Sequence, residues 1–282
     1  MSAWICSTCG VQAAETGAPP AVCAICADER QYVGWEGQHW VTMEELCATH
    51  SNVVEEEEPG LVGIRTEAAF AIGQRALLVC GAAGNLLWDC ISLLDRQSLE
   101  AVERLGGVDA ICISHPHFLG SCVEWSRAFG GAPIWVHAFD SRWVARRAPE
   151  IHFWDGDEAE PVDGLSLVRL GGHFPGSSVL LWPQGAEGRG VLLSGDTVQV
   201  VPDRRWVSFM YSYPNLIPLP ASEVGRIAAR LATLRFDRIY GAWPGRCVRS
   251  EAQDVLARSA RRYQKAAQGS GLQAGGEAPL RE

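Results

Sequence analysis

The sequence predicts an α/β (α+β) fold preceded by a small metal-bound ribbon. Three observations predict it. Two C-x2-C pairs stand close together at the N-terminus, short apolar runs follow as a meander of hairpins, and the remainder alternates strand-like with helix-like stretches. The chain has 282 residues, 47% hydrophobic and 20% charged, enough to bury a sizeable core.

The ribbon comes first. Cys6 and Cys9 form one C-x2-C pair and Cys23 and Cys26 another. A two-residue spacer lets a tight turn aim both sulfurs at one ion, so two such knuckles make a closed tetrahedral site for zinc, or for iron. The alternative is two unrelated pairs of buried thiols. A segment this short lacks a core of its own, and a metal would supply the missing folding energy. A closed four-thiolate site is structural or electron-carrying, not hydrolytic. The other six cysteines lie in mostly apolar surroundings and are expected to be inert thiols.

Charge is unevenly placed. Residues 1–60 hold ten acidic side chains and a single basic one, Arg30, while the rest of the chain is balanced. A nucleic-acid-binding module would need the opposite sign, so nucleic acid is excluded as a partner. The acidic N-terminal segment could instead meet a protein partner. No run of eighteen apolar residues exists, so no membrane span is expected, and the N-terminus lacks a secretory pattern. These features predict a cytoplasmic protein.

The expected division is a ribbon over 1–50, an acidic linker over 51–60 where SNVVEEEEPG ends in Pro-Gly, a main domain over 61–266 and a disordered tail over 267–282. Within the main domain, strands are predicted at 61–66, 68–72, 76–80, 85–90, 109–113, 133–136, 165–170, 177–182, 190–194 and 237–241. Helices are predicted at 95–105, 119–129, 139–147, 221–234 and 251–265.

Three of these strands end in residues that bind metals. After the run ending at Ile113 comes S-H-P-H-F-L-G, and His115 and His117, two apart, would share one side of an extended chain. Gly171-Gly172-His173-Phe174-Pro175 ends a second strand with a histidine, and Leu193-Ser194-Gly195-Asp196-Thr197 ends a third with a carboxylate. Imidazoles and a carboxylate arriving from three strand ends can hold one metal.

Together these segments resemble the metallo-β-lactamase fold superfamily over residues 61–250. The hairpin ending at Asp89 is similar to that family's early strands. I-S-H-P-H-F-L-G matches the start of its H-x-H-x-D-H signature, G-G-H-F-P-G its second histidine motif, and L-S-G-D-T its bridging-aspartate motif. The resemblance implies a four-layer αββα sandwich with a metal site along one sheet edge. It also implies losses: Leu119 and Gly120 stand where the signature has Asp and His, and Trp243 replaces the last histidine. The ligands specific to a second metal are gone, whereas His115, His117, His173 and Asp196 remain. One zinc or iron ion is therefore expected in the sandwich.

The activity this implies is single-metal hydrolysis of an ester, thioester or amide by metal-activated water, with Asp196 as the catalytic carboxylate. Two alternatives stand beside it: a non-catalytic sandwich that binds a ligand or partner, and a mononuclear non-haem iron oxidoreductase served by a rubredoxin-like ribbon. Trp206, Phe209, Tyr211 and Tyr213 follow Asp196, and Trp154 and Trp243 lie at other strand ends. They suggest an aromatic or acyl small-molecule substrate, with Arg204, Arg205 or Arg246 pairing an anionic group.

Overall fold

The computed structural model describes residues 1–269. Two sheets lie face to face. The first has seven strands, in the spatial order Ile151–Trp154, Ile134–His137, Ala110–Cys112, Gly84–Trp88, Arg75–Gly81, Leu61–Glu67 and Ser51–Glu58. It is antiparallel through the N-terminal hairpins and parallel from Gly84–Trp88 onward. The second has six, in the order Glu158–Val162, Leu165–Arg169, Ser178–Trp182, Val191–Leu193, Arg238–Tyr240 and Cys247–Val248.

Side-chain alternation assigns each sheet two faces. Leu77 and Val79 point between the sheets with Leu86, Trp88, Leu167, Leu180 and Leu193. Ala76 and Leu78 point outward with Ile64, Leu87, Ile111 and Ile134, under Val102, Val123 and Trp125 of helices Arg96–Arg104 and Cys122–Ala128. On the far side Val168, Val179, Leu192 and Ile239 meet Val224, Ile227, Val255 and Leu256 of helices Ala221–Leu231 and Ala252–Ala267. The layers are helix, sheet, sheet, helix.

The ribbon is a three-stranded sheet of Gln12–Thr16, Ser2–Cys6 and Trp40–Val41, followed by helix Met43–Thr49. Thr42 and Glu45 close that helix's N-terminus as a reciprocal capping box. Cys6, Cys9, Val11, Cys23, Ile25 and Cys26 share one continuous core with Ile64, Leu78 and Trp125.

Four expectations are corrected. Residues 51–60 are not a linker: Ser51–Glu58 is the outermost strand of the seven-stranded sheet, in register with Leu61–Glu67 through a tight turn. Its inward residue Asn52 is polar and satisfied by Leu93 O and Ser98 Oγ, so hydrophobic patterning does not reveal it. Charged side chains on an edge strand also discourage pairing with another chain. No strand forms over 68–72, because Ala68 and Ala71 take positive φ. The helix predicted over 139–147 is a 3-10 turn, Ala138–Trp143. Strands Ile151–Trp154 and Glu158–Val162 were not predicted. The predicted tail begins in the last helical residue and otherwise lies outside the described residues after Gly269. No helix among the described residues is long and apolar enough to cross a membrane.

Candidate metal centre

Three strand ends deliver His115, His117, His173 and Asp196 to one point. His115 follows Ala110–Cys112 and opens a 3-10 turn, Pro116–Phe118, that carries His117. The two rings therefore share a side through this turn rather than through an extended strand, with centroids 5.1 Å apart. The turn is held from below by Asp89, whose Oδ1 accepts the Ser114 amide at 2.7 Å. Burial raises the Asp89 carboxyl to about 8. His173 sits beyond Leu165–Arg169, its ring fixed by Nδ1 against Met210 O at 3.0 Å. Asp196 follows Val191–Leu193 across Gly195, which has φ +53 and would place a Cβ 2.6 Å from Ser114 Oγ. Only glycine lets this turn approach the histidine loop so closely.

The geometry suits a cation. His173 Nε2 lies 3.4 Å from His117 Nδ1 and 3.8 Å from Asp196 Oδ2, and His115 Nε2 lies 3.6 Å from the same oxygen. Ligands about 2.0–2.1 Å from a tetrahedral ion are about 3.3–3.4 Å apart, close to these separations. The four donor atoms lie within 4.8 Å of one another. Burial lowers His115 to about 3 and His173 to about 4, and pushes His117 well down, so all three imidazoles are neutral at ordinary pH. Burial pushes Asp196 up to about 6 while His173 pulls it down. His115 Nε2 and Asp196 Oδ1 are buried without a hydrogen-bond partner. Buried polar atoms left without a partner are costly, and a cation held by this carboxylate and these rings would relieve that cost.

The second cluster is the four ribbon thiols. Cys6 Sγ lies 3.5 Å from Cys26 Sγ and Cys9 Sγ 3.6 Å from Cys23 Sγ, and all four fall within 4.8 Å. Sulfurs about 2.3 Å from one ion sit about 3.8 Å apart at tetrahedral corners. Hydrogen bonding among the four splits them, pulling Cys6 and Cys23 down and pushing Cys9 and Cys26 up. Gln38 Nε2 also donates to Cys6 Sγ at 3.0 Å. Among the described residues these are the two groups able to hold a metal. Cys47 and His50 do not join either: the Cys47 thiol donates to Leu94 O and His50 Nδ1 meets Thr49 Oγ1.

The aromatic residues after Asp196 divide. Phe209 is buried in the outer core, and Trp206 lies beneath the guanidinium of Arg262, 3.6 Å from the ring centroid. Tyr211 lies under the guanidinium of Arg30, and Tyr213 reaches the centre itself. Tyr213 Oη donates to Asp196 O at 3.0 Å, and its ring lies 5.9 Å from His173. Trp154 is packed between the sheets against His137. Arg205 pairs with Asp203, whereas Arg246 and Trp243 line a cavity of about 170 Å³ with Gln199, Val200 and Pro202.

The residue that sequence reasoning missed is Arg30. It is 7% exposed, and its Nε donates to His173 O at 2.7 Å. Its guanidinium carbon lies 4.5 Å from the Phe174 ring and 4.2 Å from that of Tyr211. Its isolation as the sole cation in the first sixty residues was the available signal.

Comparison with known proteins agrees with this architecture. The profile of the metallo-beta-lactamase superfamily matches residues 71–243. The uncharacterized protein YmaE of Bacillus subtilis (strain 168) is 49% identical over 268 residues, covering 94% of this chain and 97% of that protein. The fold is similar to that of TMB-1, at 14% identity and a TM-score of 0.59 over 77% of this chain and 99% of the other. It is also similar to VMB-1, at 12% identity and 0.57 over 78% and 99%. The helix–sheet–sheet–helix layering, the matched span and the strand-end cluster of three histidines and an aspartate lead to one conclusion: the chain belongs to the metallo-β-lactamase superfamily, with an atypical single-metal motif and a separate four-cysteine cluster at its N-terminus.

Proposed function

We propose that this protein is a single-metal hydrolase, acting on an ester, thioester or amide of a small aromatic or acyl compound. The observation that carries the reading is the convergence of three neutral imidazoles and one carboxylate, whose donor atoms lie within 4.8 Å of one another. In it His115, His117, His173 and Asp196 hold one zinc or iron ion, and Cys6, Cys9, Cys23 and Cys26 hold another, zinc or iron, for structure. A bound divalent ion would supply Lewis acidity and acidify a coordinated water. The chain's own residues do the rest. Met210 O fixes His173 as the Nδ1–H tautomer and leaves Nε2 free to bind, and Ser114 Oγ, 2.9 Å from His115 Nδ1, steadies the second ring. Asp196 is the group that orients the attacking water and takes its proton. A reducing cytoplasm suits the four thiolate ligands.

A second reading, a non-catalytic sandwich that binds a ligand, draws on the closure of the centre. The four residues are at most 5% exposed, and Leu119 stands where the family pattern has an acidic residue.

The test is metal analysis of protein purified without added metal, together with turnover of a panel of small esters and thioesters. The expected result is about two ions per chain, with His173→Ala keeping one ion and hydrolysing nothing. Unchanged metal content or persistent hydrolysis in His173→Ala would overturn the assignment. Two occupied sites without turnover would favour the binding reading, and iron in the sandwich would favour oxidoreductase chemistry.

A further inference from the structure

We propose that Arg30 is a positioning residue for the His115–His117–His173–Asp196 centre, and that through it the four-cysteine site sets how tightly that centre holds its ion. The inference rests on the reading of both clusters as metal sites.

The connection is short and continuous. Cys26 closes the second knuckle, where Ala27 N donates to Cys23 O at 3.0 Å and Asp28 N to Ile25 O at 3.2 Å. Four residues past Cys26, Arg30 reaches the backbone of His173. Asp28 pins the reach from both sides: Oδ1 accepts Arg30 Nη1 at 2.8 Å, and Oδ2 accepts Trp143 Nε1 at 2.9 Å. The strap's backbone is fastened to the loop on the other side of His173. Ser212 Oγ donates to Arg30 O at 3.0 Å, and Asn215 Nδ2 donates to Glu29 O and Gln31 O at 3.0 and 3.1 Å. Tyr211 Oη also donates to the Glu29 carboxylate.

His173 thus has two anchors. Its carbonyl is held by Arg30, and its ring by Met210 of a loop that residues 29–31 hold in place. Releasing the knuckle loosens both. A small displacement of one ligand is enough to spoil a tetrahedral set, because a productive centre tolerates only about 0.5 Å of error.

Electrostatics alone predicts the opposite sign. A buried guanidinium hydrogen-bonded to His173 O disfavours added positive charge there. If Arg30 acted only through charge, removing it would tighten ion binding. If it acts by position, removing it weakens binding.

Co(II) titration of the full-length apoprotein separates these outcomes, since thiolate charge-transfer bands report the cysteine site and weaker d–d bands the histidine centre. In the wild type the thiolate bands are expected to saturate first and the histidine-centre bands second. In Arg30→Gln the thiolate bands should be unchanged while histidine-centre affinity falls at least tenfold. Cys6→Ser/Cys9→Ser should lose the thiolate bands and show the same weakening. Arg30→Lys, which keeps the charge but not the planar fork, should fall between wild type and Arg30→Gln. Equal or tighter histidine-centre binding in Arg30→Gln would overturn the proposal even if the cysteine variant misfolds. Absence of histidine-centre bands in the wild type would instead overturn the metal reading itself, and the inference with it.

Discussion

Trp243 meets Phe118 edge-on, with ring centroids 5.9 Å apart, and Phe118 in turn lies 4.3 Å from the ring of His115. Trp243 is fixed in place by its Nε1, which donates to Ile72 O at 3.0 Å. An apolar wall thus occupies the half of the site where the family pattern carries Asp, His and a terminal histidine. The backbone has followed the side chains. Gly120 has φ +49, and a Cβ there would lie 2.7 Å from Ile91 O.

Restoring the missing ligands should therefore fail. Leu119→Asp/Trp243→His is expected to gain no additional ion by metal analysis. Gly120→His is expected to lose about 1–3 kcal/mol or more in urea unfolding, because it combines backbone strain with a main-chain clash. A folded Gly120→His of wild-type stability would contradict this account.

The turn before Asp196 is equally tight. Gly195→Ala would bring a Cβ to 2.6 Å from Ser114 Oγ and force apart the loops carrying His115 and Asp196. The expected outcome is loss of the sandwich ion with the ribbon ion retained, read by metal analysis, at a stability cost of about 1–3 kcal/mol.

Glu58 joins the two sheets from its place on the outermost strand. Its Oε2 accepts Tyr240 Oη at 2.6 Å and Arg238 Nη1 at 2.7 Å, while Oε1 accepts the Ala186 amide at 2.8 Å. Burial pushes this carboxyl up, but the three hydrogen bonds outweigh it and hold it below the usual range. Its stabilisation is therefore present above the ordinary glutamate range and is lost as pH falls. Glu58→Ala leaves the buried Tyr240 hydroxyl and Ala186 amide without an acceptor, while Arg238 keeps Glu187, and should cost about 1–3 kcal/mol in urea unfolding at pH 7.

Asp140 behaves in the opposite way. Its Oδ1 accepts the Gly176 amide at 2.7 Å, and burial raises the carboxyl from 3.8 to about 7. Between those values the folded chain holds a proton that the unfolded chain has released, so this group's contribution falls as pH rises through the window. Asp140→Asn keeps the acceptor without the charge. Its melting temperature should match the wild type near pH 4 and exceed it by several degrees at pH 8.

The parts legible in the sequence are those set by local spacing. The doubled C-x2-C pairs mark the ribbon cluster, and short ligand-bearing turns after apolar runs mark the four residues that meet in the sandwich. What was hidden depends on partners distant in sequence. Asn52 is buried because Leu93 and Ser98 satisfy it, so its strand reads as a polar linker. Arg30 is buried because Asp28, Phe174 and Tyr211 enclose it, and nothing in its immediate neighbours announces that. The Ala138–Trp143 stretch has helix-like composition, but the chain leaves the turn at Val144 with extended backbone.

The core that runs without interruption from the ribbon cysteines to Trp125 makes the two portions inseparable. Ile5 and Leu46 also cover Leu93 from the ribbon side. Starting the polypeptide at residue 61 would strip Leu61–Glu67 of its neighbour and bare this seam, leaving an adhesive margin open to chain-to-chain association. Excising the ribbon is therefore expected to give an associating chain rather than a smaller folded domain.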